Sequence, residues 1–443
     1  MTQLSRRTFL HNAALASGAL LLPPALAACA GGSDGQHAVT SGNVTLKFWA
    51  HDPSQYKVFK QAAAGYRKSG KTKFAYGFDW TKADAATLVT RLISGAAAGG
   101  GSTPDMIGIV NLSFGRLMSG DIAQSLLMDL SSAVGPLSGN LIKPTLAQYS
   151  IDGKPYGIET DNSITVLYYR EDLADKHKVP LDVQTWEEMA QFGAGLFKDQ
   201  GKSLGIVCTG DSSNAFNQYL QFLEQRGGSI FDAKGNLVLE SQAAVDVLQF
   251  MIDGRNSGFL LEVNDPYGPS MAAAFKSEKL IAVTMPDWYN QYGLQTNVPE
   301  QKGKWRITLM PRFAGGGTRA SSLGGTGWAI VKDKDNSQAA LDLLKYTYLT
   351  EEGQVQRFLI GGYLPTMKSV YSNPELAAYR DSYLGGQKVF DVYKQLAADV
   401  PPFYQSPKMQ QVINVLGAQI VSALKGHTTA EKAITDAVKA LNG

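Results

Sequence analysis

The five histidines fall at positions 11, 37, 51, 177 and 427. None belongs to an H-E-x-x-H pair, and there are no paired cysteines, so neighbouring positions do not assemble the ligands of a catalytic zinc. Two G-x-S-x-G matches occur, at residues 31–35 and 201–205, but neither follows a predicted strand and opens a helix, so neither reads as the turn that carries a strained nucleophilic serine. Gly315-Gly316-Gly317-Thr318 lacks the lysine of a phosphate-cradling loop, and Ala98-Gly99-Gly100-Gly101-Ser102 is a plain loop. No metal or cofactor is expected. Carboxylates remain: a pair of Asp or Glu side chains could hydrolyse a glycosidic bond, but only at a separation that the sequence does not specify. The other candidates lie at the carboxyl ends of predicted strands, where α/β sheets place ligands. Asp52, flanked by His51 and Pro53, follows the first strand, and Asn111 ends the strand that begins near Met106. Each is either a ligand contact or a turn former, and Asp52 is alternatively the cap of a following helix.

Those strands belong to an alternating series. Residues 44–49 alternate in polarity and carry two aromatics, and Tyr56, Phe59, Ala63 and Tyr66 recur behind them at helical spacing. Phe74, Tyr76 and Phe78 share one face of a second strand, and an apolar helical stretch leads into a third at 104–110. Strands are also read at 163–169, 204–208, 279–284, 306–310 and 326–332. Helices are read at 241–252 and 337–349, with capping boxes at Thr185-Trp186-Glu187-Glu188 and Thr428-Thr429-Ala430-Glu431. Strands alternating with helices imply an α/β protein with parallel sheet. At 443 residues the chain has room for two or three domains. With no internal repeat and no long linker, two α/β lobes that share the chain more than once fit best. A hydrophobic content of 44% with 18% charged residues is globular, and 41 basic against 39 acidic residues exclude a sequence-independent nucleic-acid binder.

Residues 1–28 read as an export signal: Arg6 and Arg7 in a twin-arginine-like SRRTFLH, then an apolar run too short to span a membrane. Leu26-Ala27-Ala28-Cys29 resembles a lipobox, which makes Cys29 the expected lipidation site. Residues 29–42 are expected to form a flexible tether. Without Arg6 and Arg7 the charges balance at 39 each. Cys208, in the apolar run LGIVC, is expected to be a core filler.

Several segments then coincide, in order, with one family. They are Leu46-Lys47-Phe48-Trp49, Pro104-Asp105-Met106-Ile107, Asp152-Gly153-Lys154-Pro155-Tyr156-Gly157-Ile158, Leu167-Tyr168-Tyr169-Arg170, Met285-Pro286-Asp287-Trp288, Gly324-Gly325-Thr326-Gly327-Trp328 and Tyr363-Leu364-Pro365-Thr366. Over nearly the whole chain after the leader the sequence resembles the extracellular solute-binding proteins of ABC importers, in the group that includes sugar-binding proteins. It departs from the family at Glu159-Thr160-Asp161 and at the Pro286-Asp287 lead-in to Trp288.

The resemblance implies a type II periplasmic-binding-protein-like fold: two α/β lobes joined by three crossovers, with the ligand cleft between them. The lobes are expected at 43–158 plus 312–361 and at 159–311 plus 362–443, with crossings near 157–161, 310–313 and 361–365. A monomer is implied that is held by lipid at the extracytoplasmic face of the membrane. It would capture a small solute, a sugar in the first instance, by hinge closure and deliver it to membrane permease subunits, without catalysis. Trp288 is the expected sugar platform, with Asp287 and Tyr289 in the same loop. Asp161, Asn162 and Ser163 are expected to face the cleft, and Gly324 and Gly325 to bring backbone close to the ligand. Trp49, Trp80 and Tyr363 are further aromatic candidates, and Trp186 is expected to be packing.

Overall fold

The computed structural model describes residues 38–442. The expected leader and Cys29 lie outside them. Strand β1 (Gly42–Ala50) turns Val44, Leu46, Phe48 and Ala50 inward and Thr45 and Lys47 outward, the two-residue period of a half-buried strand. Asp52 caps helix α1 (Pro53–Lys68), its carboxylate accepting the Ser54 N–H at 2.9 Å. Pro53 stands where a missing N–H costs nothing, and Arg67 and Lys68 in the last turn complement the helix dipole. After β2 (Phe74–Lys82), α2 (Ala85–Ala97) and β3 (Met106–Val110), β1 lies parallel to both β2 and β3.

The chain leaves this sheet through β4 (Ile158–Glu159) and enters β5 (Thr165–Arg170). Helix α3 (Trp186–Gln200) opens with the capping box of Thr185 and Glu188. There follow β6 (Gly205–Cys208), α4 (Ser212–Gln225), α5 (Gln242–Ser257), β7 (Leu260–Val263), β8 (Ala282–Pro286) and β9 (Trp305–Thr308). β5 is antiparallel to β8 and β9 on either side, while β6 and β7 are parallel. β10 (Thr326–Ile330) returns to the first sheet, whose order becomes β2-β1-β3-β10-β4. Helices α6 (Ser337–Leu349) and α7 (Glu351–Gly361) pack on α1. Helices α8 (Met409–Leu424) and α9 (Ala430–Asn442) pack on α4 and α5. One apolar cluster runs from Phe48 and Trp328 through to Tyr168 and Trp305, and a second fills the space among α3, α4, α5, α8 and α9. Among the described residues no helix is long and apolar enough to cross a membrane.

Four expectations change. The first sheet is mixed, because β10 enters it from the other lobe and runs against β3, and the sheet β8-β5-β9 is antiparallel throughout. The tether ends before residue 42: Val39 donates to the carbonyl of Asp335 at 2.8 Å and packs on the core. The last helix is capped by Thr429, which accepts the Lys432 N–H, and not by Thr428. Two of the three crossings also move. Residues 310–313 stay with the second lobe: the Arg312 carbonyl accepts Trp186 N–H, and Phe313 packs edge-on against Phe222 and Phe250. The return is made further on, where Thr165 N–H meets the Ser321 carbonyl and Leu323 N–H the Ser163 carbonyl. After Tyr363 the chain still follows first-lobe elements, with Ile142 N–H on the Thr366 carbonyl and Lys368 N–H on the Asn140 carbonyl. It joins β9 only at Gln387, which holds both the N–H and the carbonyl of Ile307. These contacts lie far apart in sequence and leave no local pattern.

Candidate functional site

The first crossing carries five consecutive polar residues, Glu159 to Ser163, each no more than 2% exposed. They are laid down by pairing on both sides. Thr160 donates its N–H to the Thr326 carbonyl at 2.7 Å, and Asn162 its N–H to the Leu364 carbonyl at 3.3 Å. Asp287, at the end of β8, is 3% exposed and accepts the Leu364 N–H through Oδ2 at 3.2 Å. Arg357 on α7 is fully buried, its guanidinium 4.4 Å from the centre of the Tyr348 ring and donating to Gln354.

This arrangement leaves polar atoms unsatisfied. Glu159 Oε1, Asp161 Oδ2, Asn162 Oδ1, Ser163 Oγ, Asp287 Oδ1 and two guanidinium nitrogens of Arg357 have no partner among the described residues. A buried unpaired polar group costs about 1 to 3 kcal/mol, so such a concentration marks a place where water or a polar solute is expected. Burial, then the charges of Asp161 and Asp287, hold the Glu159 carboxyl well above its ordinary range. Burial raises Asp161 to about 7 against the opposing pull of Arg357. Burial and the Asp161 charge likewise raise Asp287. The three therefore titrate as a set, carrying fewer than three charges at neutral pH. Among the described residues no group of three His, Cys, Asp or Glu is placed to hold a metal ion.

Gly325 completes the crossing. Its φ is +110° and a Cβ would run into Oε1 of Glu159, so only glycine fits. Gly324 has φ +80°, and a Cβ there would lie 3.4 Å from the Trp288 ring. Trp288 itself is half-buried and donates Nε1–H to the Leu323 carbonyl at 3.2 Å. Tyr267 and Tyr292 stand with ring centres 5.9 and 6.0 Å from that of Trp288 and 5.9 Å from each other. Tyr292 rides on a π-helical turn, Asn290–Gln295, and is 54% exposed. Burial first, and the Asp52 charge next, raise its phenol, which places Tyr292 within electrostatic reach of the first lobe.

The remaining expected residues divide. Asp52 is a helix cap and also accepts the Tyr363 hydroxyl, so these two hold each other. Asn111 donates to Gln148 at 2.9 Å, and Gln148 donates to Glu159 at 3.2 Å, which links Asn111 to the crossing. Tyr289 is a correction: it is fully buried, with its hydroxyl on the Pro266 carbonyl and its ring beside Tyr168 and Tyr267. Trp49 is half-buried and packs on the cluster around Leu88 and Ile107. Trp80 stacks on Tyr56 with ring centres 4.8 Å apart, and Trp186 is buried with Nε1–H on Gln225. Cys208 is buried and free, its thiol pushed up by burial. Sequence reasoning missed Tyr267, Tyr292, Asn217, Glu224 and Arg357. The signals available were an aromatic four residues after Trp288 and charged residues on the apolar faces of α4 and α7.

Two α/β lobes joined by antiparallel crossing segments, with unpaired polar atoms and an aromatic group at their junction, define the type II periplasmic-binding-protein-like fold. The chain belongs to the bacterial extracellular solute-binding proteins, whose family model matches residues 53–381. It is 26% identical over 390 residues to the arabinooligosaccharide-binding protein of Halalkalibacterium halodurans, covering 86% of this chain and 84% of that one. It is 26% identical over 422 residues to the lactose-binding protein of Rhizobium radiobacter, covering 90% and 93%. The solved cyclic alpha-maltosyl-1,6-maltose binding protein from Arthrobacter globiformis superposes with a TM-score of 0.74 at 19% identity, covering 90% of this chain and 98% of that one, a likeness of fold.

Proposed function

We propose that the protein is the substrate-binding component of an ABC importer that captures a sugar or short oligosaccharide between its lobes and delivers it to a membrane permease. The observation that carries this reading is the ring group of Trp288, Tyr267 and Tyr292 beside the unpaired polar atoms of the first crossing. Sugars present C–H faces that pack on aromatic rings and hydroxyls that need paired donors and acceptors. The sugar-binding relatives support the same class of solute. Trp288, Asp161, Asn162, Asp287, Gly324 and Gly325 are the proposed contacts, with Tyr267 and Tyr292 added to them.

Capture proceeds by rotation of the lobes about residues 159–165, 321–327 and 373–387, and the solute favours closure only through its greater affinity for the closed form. The protein acts without catalysis and as a monomer, anchored outside the cytoplasm by lipid on Cys29. Replacing Cys29 by Ala should release it from membranes, and retention of the variant there would contradict the anchor. A thermal-shift screen with arabinotriose, lactose, maltotriose and spermidine tests the solute class. Stabilisation by at least one sugar and not by spermidine is expected, and stabilisation by spermidine alone would overturn the reading.

A further inference from the structure

A second set of unpaired atoms lies on the far side of Gly324 from the rings. Helix α4 presents Asn217 and Glu224, two turns apart on one face. With Asn111 at the end of β3, Ser322 and Gly324 on the return crossing, and Phe403, they line a cavity of about 10 Å³, room for one water. The cavity sits where first-lobe β3 meets second-lobe α4, and Gly324 separates it from Trp288.

Glu224 is 4% exposed. Its Oε2 accepts both the N–H and the hydroxyl of Ser322, at 2.9 and 3.3 Å. Oε1 has no partner among the described residues, and neither has Oδ1 of half-buried Asn217. A residue whose sole task was to hold Ser322 would need one oxygen and no second polar atom facing the cavity. Burial pushes the Glu224 carboxyl up to about 8, with the Ser322 hydrogen bonds pulling the other way. At neutral pH it is therefore an uncharged acid, and with Oε2 occupied as acceptor its proton falls on Oε1.

The lining of that cavity then offers one donor, Oε1–H, and one acceptor, Asn217 Oδ1. A hydroxyl group both donates and accepts, and so satisfies both atoms. An ammonium offers donors alone, and a carboxylate or phosphate offers acceptors alone. We propose that Glu224 and Asn217 form a subsite at the inner end of the cleft that reads one hydroxyl of a neutral polyol. The subsite rests on the sugar-binding reading above and assigns specificity within it to α4.

The test is an equilibrium titration, followed by tryptophan fluorescence, of the full chain and of E224Q, E224L and N217A with arabinotriose, lactose and maltotriose. The unliganded melting temperature of each variant is measured alongside. For a sugar that the wild type binds, E224L and N217A should each weaken affinity about tenfold, the loss of one buried hydrogen bond. E224Q, whose amide supplies the same donor and acceptor, should stay within about threefold. If E224L fails to fold, N217A and E224Q still decide. E224L and N217A both within twofold of wild type would overturn the subsite alone, as would N217A within twofold where E224L does not fold. Failure of the wild type to bind any of the three sugars would overturn the sugar reading and the subsite with it.

Discussion

The hydroxyl of Tyr363 donates to Oδ2 of Asp52 across 2.7 Å, and the Ser54 hydroxyl meets both. The segment that follows α7 is thereby tied to the cap of α1 in the same lobe. Tyr363→Phe removes one buried hydrogen bond and should cost about 1 kcal/mol. Asp52→Ala also removes the cap and should cost about 2 kcal/mol. Because the two share a bond, the double variant should cost less than the sum. Urea denaturation measures all three, and additive losses would show that the bond carries no coupling.

Tyr292 offers the cleanest probe of the rings, because at 54% exposure its removal disturbs little packing. Tyr292→Ala should leave the unliganded melting temperature unchanged and weaken sugar affinity about tenfold, the contribution of one stacked ring. Trp288→Ala should abolish sugar-induced stabilisation altogether. Unchanged affinity in both variants would remove the ring group from the site.

At Gly325 an alanine would meet both a positive φ and the Glu159 carboxylate. Gly325→Ala should therefore destabilise the protein by about 2 kcal/mol or more. Gly386→Ala, at φ +78° with nothing near its Cβ, bears the backbone cost alone and should lose about 1 kcal/mol. Equal losses in denaturant titrations would show that the Glu159 carboxylate does not occupy that space.

The buried carboxyls predict a pH dependence with a definite sign. Asp161 is raised to about 7 and Glu224 to about 8, against about 4 in the unfolded chain. A carboxyl raised on folding contributes stability that is fully present below the unfolded value and is lost as pH rises through the folded one. Relative to Glu224→Gln, the wild type should thus lose stability steadily between about pH 4 and pH 8 and hold a constant difference above that. Denaturation curves at pH 5, 6.5 and 8.5 check it. A wild type that gains on the variant as pH rises would contradict the neutral acid.

Local patterns made much of this legible. The alternation of Val44, Leu46 and Phe48 announced β1, Asp52 before Pro53 announced the cap of α1, and Thr185 with Glu188 the start of α3. Two adjacent threonines at 428 and 429 each satisfy a cap pattern within one residue, and only the hydrogen bond from Lys432 N–H distinguishes Thr429 as the cap. Tyr289 beside Trp288 carries the same aromatic signal, but the backbone turns it into the core. The crossings were the least legible, because contacts such as Arg312 with Trp186 and Gln387 with Ile307 join residues far apart in sequence. Glu224 and Arg357 were visible as charges on apolar helix faces. What they face depends on the packing of other elements.

Isothermal titration calorimetry of the wild type with arabinotriose, lactose and maltotriose, and with spermidine as control, tests the central claim most directly. The account predicts saturable one-to-one binding of at least one sugar, no product on recovery of the ligand, and no heat with spermidine. Absence of binding to every sugar, or continuing heat with conversion of the sugar to product, would contradict it.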